Sequence, residues 1–201
     1  SIGRVPNGVD SNDSGVDFSS LTPSPKAENT TSSGGGSCDS VAGVLINEFM
    51  PDPAGSDSGR EWLEIYNAAG QDVNISGWMI QGGASSYSTQ GTIPDGTIIP
   101  AGGYLLLGGS DVSIDLGMSV DVEASFSMGN ASSNTDSIRM LDCNENVMDT
   151  VVYGEFDGPI TDPWVDDSGV VPTSFAPKPS SGQSIGRVPN GVDSNDSGVD
   201  F

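Results

Sequence analysis

An all-β fold, built as a two-sheet antiparallel sandwich, is what this sequence predicts, and three observations predict it. Glycine at 28 and proline at 13 of 201 residues, together with many Ser, Thr, Asn and Asp, spread turn chemistry through the chain. No stretch of ten or more residues holds an apolar period of helical spacing. Between the turn signals lie about seven to nine short apolar or alternating runs, the rhythm of a sandwich. With 34% hydrophobic residues, the chain can furnish one domain of roughly 150 residues with a substantial core.

Ser1–Phe18 reads SIGRVPNGVDSNDSGVDF and returns unchanged as Ser184–Phe201, an offset of 183 residues. That spacing far exceeds solenoid periods and suits a tandem array of whole domains, so 1–18 reads as the closing strand and acidic turn of a preceding repeat. An engineered duplication is the alternative. Residues 19–40 are Ser/Pro/Gly-rich and nearly devoid of large apolar side chains, which is linker composition, extended in its Pro half and flexible around Gly34–Gly36. Asn29-Thr30-Thr31 inside it is a formal glycosylation sequon of little weight.

The folded domain is expected over 41–201. Val44–Met50 reads as a strand ended by Pro51, Pro53 and Gly55. In Arg60–Asn67, Leu63 and Ile65 share one face, and Trp62, Glu64 and Tyr66 the other. Val73 and Ile75 alternate with polar neighbours before Gly77–Ile80, Gly82–Gly91 reads as loop, and Thr97–Pro100 leads to the buried run Tyr104–Leu107. Val120–Met128 alternates cleanly and predicts a half-buried strand. Ser137–Leu141 and Val147–Tyr153 read as a hairpin with Cys143 in its turn. Glu155–Lys178 is long and irregular, and Ser184–Val188 supplies a last strand.

The ordered segments INEFMPDPAGSDSGREWLEIYN, VNISGWMI, TIIPAGGYLLL, SIRMLDCNENVMDTVVYG and SIGRVPNG resemble the lamin tail domain in its bacterial, secreted form, from about Val41 to Gly191. The resemblance implies an immunoglobulin-like antiparallel β-sandwich, usually without enzymatic activity and often found in tandem. It makes SIGRVPNG the closing strand and TPSPKAEN the tail that follows it. Two copies of that strand with one slot to fill imply possible strand exchange through 1–18, with a sheet of this molecule or the next.

A net charge of −22, from six basic and twenty-eight acidic residues, argues against nucleic acid and anionic lipid as partners and favours divalent cations. No run of eighteen apolar residues suggests membrane insertion. The absence of histidine removes the commonest general base and most zinc or copper sites, so no enzyme is expected. Cys38 and Cys143 are a disulfide or two free thiols, and the otherwise secreted character of the chain favours the disulfide.

The strongest ligand signal is Asp193, Asn195, Ser197 and Asp200 with Gly198, repeated as Asp10, Asn12, Ser14 and Asp17 with Gly15. Oxygens at alternate positions before a Gly mimic the first half of a calcium loop. Leu21 stands where such a loop carries its bidentate Glu, so calcium would need further ligands, such as Asp52, Asp57 or Asp166 and Asp167. The competing reading is a solvated acidic turn. Glu48, Glu61 and Glu64 invite a glycosidase reading, but Glu61 and Glu64 face opposite ways on one strand. Of Trp78, Tyr87, Tyr104 and Trp164, only Trp164 is expected as an exposed ligand contact. The expectation is therefore a non-catalytic structural, adhesion or targeting module, extracellular or at the cell surface. It requires no cofactor, and its partners are neighbouring repeats or other surface proteins. The alternative is a calcium-dependent module that binds glycans.

Overall fold

A computed structural model describes residues 2–4, 10–20, 38–131, 134–155 and 164–201, and the chain divides into two compact units, Ser1–Gly36 and Ser37–Phe201. In the first unit β1 (Ile2–Arg4) pairs antiparallel with β2 (Phe18–Ser20), and the short helix α1 (Ser14–Asp17) leads into β2. The helix starts where it does because Asp13, in extended backbone, accepts the Gly15 amide at 2.9 Å, the N-cap role of a short acceptor side chain. The sequon at Asn29 lies outside the described residues.

The second unit contains β3 (Val44–Met50), β4 (Trp62–Asn67), β5 (Val73–Asn74), β6 (Met79–Gly83), β7 (Ser88–Thr92), β8 (Ile98–Ile99) and β9 (Tyr104–Gly108). There follow α2 (Val112–Leu116), β10 (Val122–Glu123), β11 (Asp136–Leu141), β12 (Val147–Tyr153), β13 (Ile185–Gly186) and α3 (Ser197–Asp200). One sheet runs β10-β9-β4-β3-β13 and the other β12-β11-β6-β7, with β5 and β8 as a separate ribbon. The ladders are antiparallel except β10 on β9, which is parallel.

Between the sheets the inward residues of β3 and β4, Val44, Ile46, Phe49, Leu63 and Ile65, meet Ile80, Ile138, Met140, Val151 and Tyr153, with Trp78 among them. Each such side chain, fully withdrawn from water, contributes roughly 1.5–3 kcal/mol before entropy is charged against it. Alternation alone would put Ile46 and Phe49 on opposite faces. A bulge between Ile46 and Glu48 resets the phase so that both point inward. On the other face of β4, Trp62 packs with Leu106 of β9 and Val112 of α2, which is why this strand carries large residues on both sides. Cys38 and Cys143 are disulfide-bonded and tie the entry to β3 to the β11–β12 turn, as expected. The indole of Trp78 donates to the Asp39 carbonyl beside that link.

Three expectations are corrected. Gly82–Gly91 is a loop only over 84–87: β6 continues to Gly83, and β7 pairs with it as a polar edge strand with no buried residue to give it an apolar signal. The alternation at Val120–Met128 does bury Val122, Phe126 and Met128, but only Val122–Glu123 joins a ladder. Beyond it, side chains replace strand partners: Ser127 N donates to Gln90 Oε1 on β7 and Met128 N to Glu61 Oε1 beside β4. The segment thus passes from one sheet to the other. The last strand is confined to Ile185–Gly186, after which Arg187 N donates to the Asn47 carbonyl in the β3 bulge.

Candidate functional site

The polar centre of the second unit is Arg187, one of six basic residues in the chain, whose side chain is 1% exposed. Its place follows from the strand before it: β13 pairs with β3, and the next residue falls where the bulge opens the ladder. Nε donates to the Ile46 carbonyl at 3.2 Å. Nη2 donates to both oxygens of Asp149 on β12 at 3.2 Å, and Nη1 to Asp200 Oδ2 at 2.8 Å, Asp193 Oδ1 at 3.3 Å and the Val192 carbonyl at 2.8 Å. The Phe201 ring lies 4.9 Å from the guanidinium carbon and packs edge-on against Phe49. One cation thus joins β3 in one sheet to β12 in the other.

Asp149 is in phase with Val151 and Tyr153, so its carboxylate points inward, where Oδ2 also accepts the Ile46 amide at 2.6 Å. Complete burial pushes its carboxyl up to about 7. Arg187 opposes that shift, and the nearby Asp193 adds to it. Burial likewise raises Asp167, again with Asp193 contributing.

Two segments cover the outer edge of β12: Ser197 Oγ of the closing segment Ser184–Phe201 accepts the Val152 amide at 3.0 Å, and Ala176, ahead of it in the chain, forms a parallel bridge to Tyr153. Asp196 caps α3. Burial pushes its carboxyl up, but hydrogen bonds from Ser174, Thr173 and the Gly198 amide outweigh that and hold it below the usual range.

The residues expected to hold calcium are placed as follows. Asp193 and Asp200 meet at Arg187, Ser197 turns to β12, and Asn195, at φ 59°, makes the left-handed turn between them. In the first unit Asp10 accepts the Asn12 amide at 3.0 Å, Asn12 has φ 58°, and Ser14 opens α1. Asp17 there accepts the Ser11 amide at 3.0 and 3.2 Å and its hydroxyl at 2.7 Å. The equivalent Ser194 amide meets Asp200 at 3.0 and 3.2 Å. Among the described residues no group of three or more His, Cys, Asp or Glu side chains is arranged to hold a metal ion.

Trp164, expected to be exposed, is buried. It is 1% exposed, its indole donates to the Thr135 carbonyl at 3.0 Å, and Tyr87 stands edge-on at 4.7 Å. Its ring lies over Gly83 of β6, so the exposure expected of it is not found. Of the acidic trio, Glu61 accepts the Met128 amide at 2.8 Å and is pushed up to about 7 by burial, whereas Glu64 accepts from Asn47 Nδ2. They share no site.

Neither Arg187 nor Asp149 stood out in the sequence, although each carried a signal: a lone arginine in a closing strand, and an aspartate in phase with inward apolar residues. Two packed sheets, clasped at one edge by a buried arginine, define an immunoglobulin-like β-sandwich module. A family model, Lamin Tail Domain, matches residues 39–155, and the chain belongs to that family. The matched stretch contains Asp149 and Cys143; Cys38 immediately precedes it, and Arg187 and the closing segment follow it. None of the curated proteins compared with the chain matches it.

Proposed function

We propose that this chain is a non-catalytic structural and adhesion module, working outside the cell as one unit of a tandem array and joined to neighbouring units or other surface proteins. The observation that carries this reading is the closing segment. Ser184–Phe201 clasps the two sheets, and an identical copy stands 183 residues earlier, where the end of a preceding unit would be. A disulfide across a long loop suits an oxidising compartment, which supports the extracellular reading. The charge of −22 keeps such an array soluble and disfavours contact with nucleic acid.

Calorimetry with calcium and then chelator, beside a glycan-array screen, tests the proposal. The expected result is an unchanged melting temperature and no glycan retained. Calcium-dependent stabilisation together with a retained glycan would replace the structural reading by a carbohydrate-binding one, with Asp193, Asn195 and Asp200 as the first residues to substitute.

A further inference from the structure

The two copies of the eighteen-residue segment share one conformation over their last nine residues, and the short strands before them take different partners. From Asp10 to Phe18 and from Asp193 to Phe201 the turn, the N-cap and the helix coincide, with Asn12 and Asn195 at φ 58° and 59°. The preceding strands differ. β1 pairs with β2, whereas β13 pairs with β3 and Arg187 enters the clasp. Successive amides of a strand point to opposite edges. Arg187 N meets Asn47 of β3 on one edge, and Val188 N meets the Asp200 carbonyl on the other. The β1–β2 ladder, with Arg4 opposite Phe18, lies on the edge that corresponds to Val188. The first copy therefore holds its helical half already formed and keeps the other edge of its strand outside that ladder. Because the sequences are identical, Arg4 corresponds to Arg187, and Ser1–Phe18 carries the same residue at every position through which Ser184–Phe201 meets β3 and β12.

We propose that the slot on β3 and β12 filled by Ser184–Phe201 is a binding site for Ser1–Phe18 of a second copy of this chain, so that units are linked by exchange of closing segments. This rests on the structural reading above only in the use made of the link.

Arginine substitutions in the full chain test it. Arg4→Ala alone should leave melting unchanged. Arg187→Ala should melt above the double variant Arg4→Ala/Arg187→Ala by about 10 °C, because an intact segment replaces the damaged one. Arg187→Ala should also contain species of twice the chain mass that grow with concentration. As a second measurement, a synthetic peptide of sequence SIGRVPNGVDSNDSGVDF added to the double variant should raise its melting temperature saturably, and the same peptide with Ala for Arg should not. Equal melting of Arg187→Ala and the double variant overturns the proposal, as does an Arg187→Ala chain that stays monomeric at every concentration, or equal effects of the two peptides. Calcium and glycan results do not bear on these outcomes, so the structural reading and the exchange can fail separately.

Discussion

Replacing Asp149 tests the clasp on the side that has no second copy. Asp149→Ala removes the acceptor of the buried Ile46 amide, worth about 1–3 kcal/mol when left unsatisfied. It also takes one of the two buried carboxylates from Arg187. Breaking a buried pair outright costs about 3–5 kcal/mol, but Asp200 remains at 2.8 Å, so the guanidinium is not left bare and the lower end applies. A loss of about 3–4 kcal/mol is expected. Asp149→Asn separates charge from shape. In the folded protein the carboxyl is pushed up to about 7, whereas in the unfolded chain it titrates near 3.8. Between those values the folded state holds a proton that the unfolded state has released, so this group's contribution is full below the lower value and declines as pH rises through the upper one. One group supplies at most about 1.4 kcal/mol per pH unit. Asparagine cannot titrate, so the stability of wild type relative to Asp149→Asn should shrink by about 2 kcal/mol between pH 5 and pH 7.5. The neighbours Asp193, Asp200 and Asp167 are common to both proteins and cancel to first order. Chemical denaturation at fixed ionic strength measures the difference. A gap that stays level, or widens with pH, would refute the account of Asp149 as a carboxyl whose titration burial raises.

Three further outcomes are expected. Ser at both Cys38 and Cys143 should lower the melting temperature under oxidising conditions by about 5–15 °C, since a link across 105 residues stabilises by roughly 2–4 kcal/mol; equal melting of variant and wild type counts against it. All three tryptophans, Trp62, Trp78 and Trp164, are buried, so acrylamide should quench the native fluorescence weakly and uniformly. A strongly quenched fraction that disappears in Trp164→Phe would return Trp164 to the surface. Gly109→Ala should cost about 1–3 kcal/mol in denaturant titrations, because its Cβ would lie 2.5 Å from the Gly59 backbone, which has no flexible side chain to move aside; an unchanged midpoint would show that the two turns can part.

The sandwich was legible wherever burial has a period. Leu63 and Ile65 against Trp62, the hairpin around Cys143, and the inward set at Val122, Phe126 and Met128 all sit on the faces their spacing predicts. What failed was any feature decided by a distant partner. β7 is polar because it is an edge, and edges write no apolar pattern. Trp164 lies among acidic residues that suggest water, yet Tyr87 and the Thr135 carbonyl, far away in sequence, remove it from water. The clasp was hidden for the same reason: Arg187 and Asp149 are 38 residues apart, and only the meeting of β3 with β12 makes them neighbours.

The repeated segment separates these two kinds of information within one chain. Its second half takes the same turn and helix in both units, with the Ser11–Asp17 and Ser194–Asp200 contacts matching in length, so that geometry is written locally. Asp serves there as turn former, N-cap and closing acceptor, Asn accepts the left-handed backbone, and Gly follows the cap. These are also the residue types that open a calcium loop, which explains the likeness without requiring an ion. The first half has no such local code. Ile2–Arg4 and Ile185–Gly186 have the same letters but pair along opposite edges, β1 with the strand that follows its own helix and β13 with β3. A segment whose second half is already folded loses less conformational entropy on docking than an unstructured one, and that difference suits it to closing a sandwich.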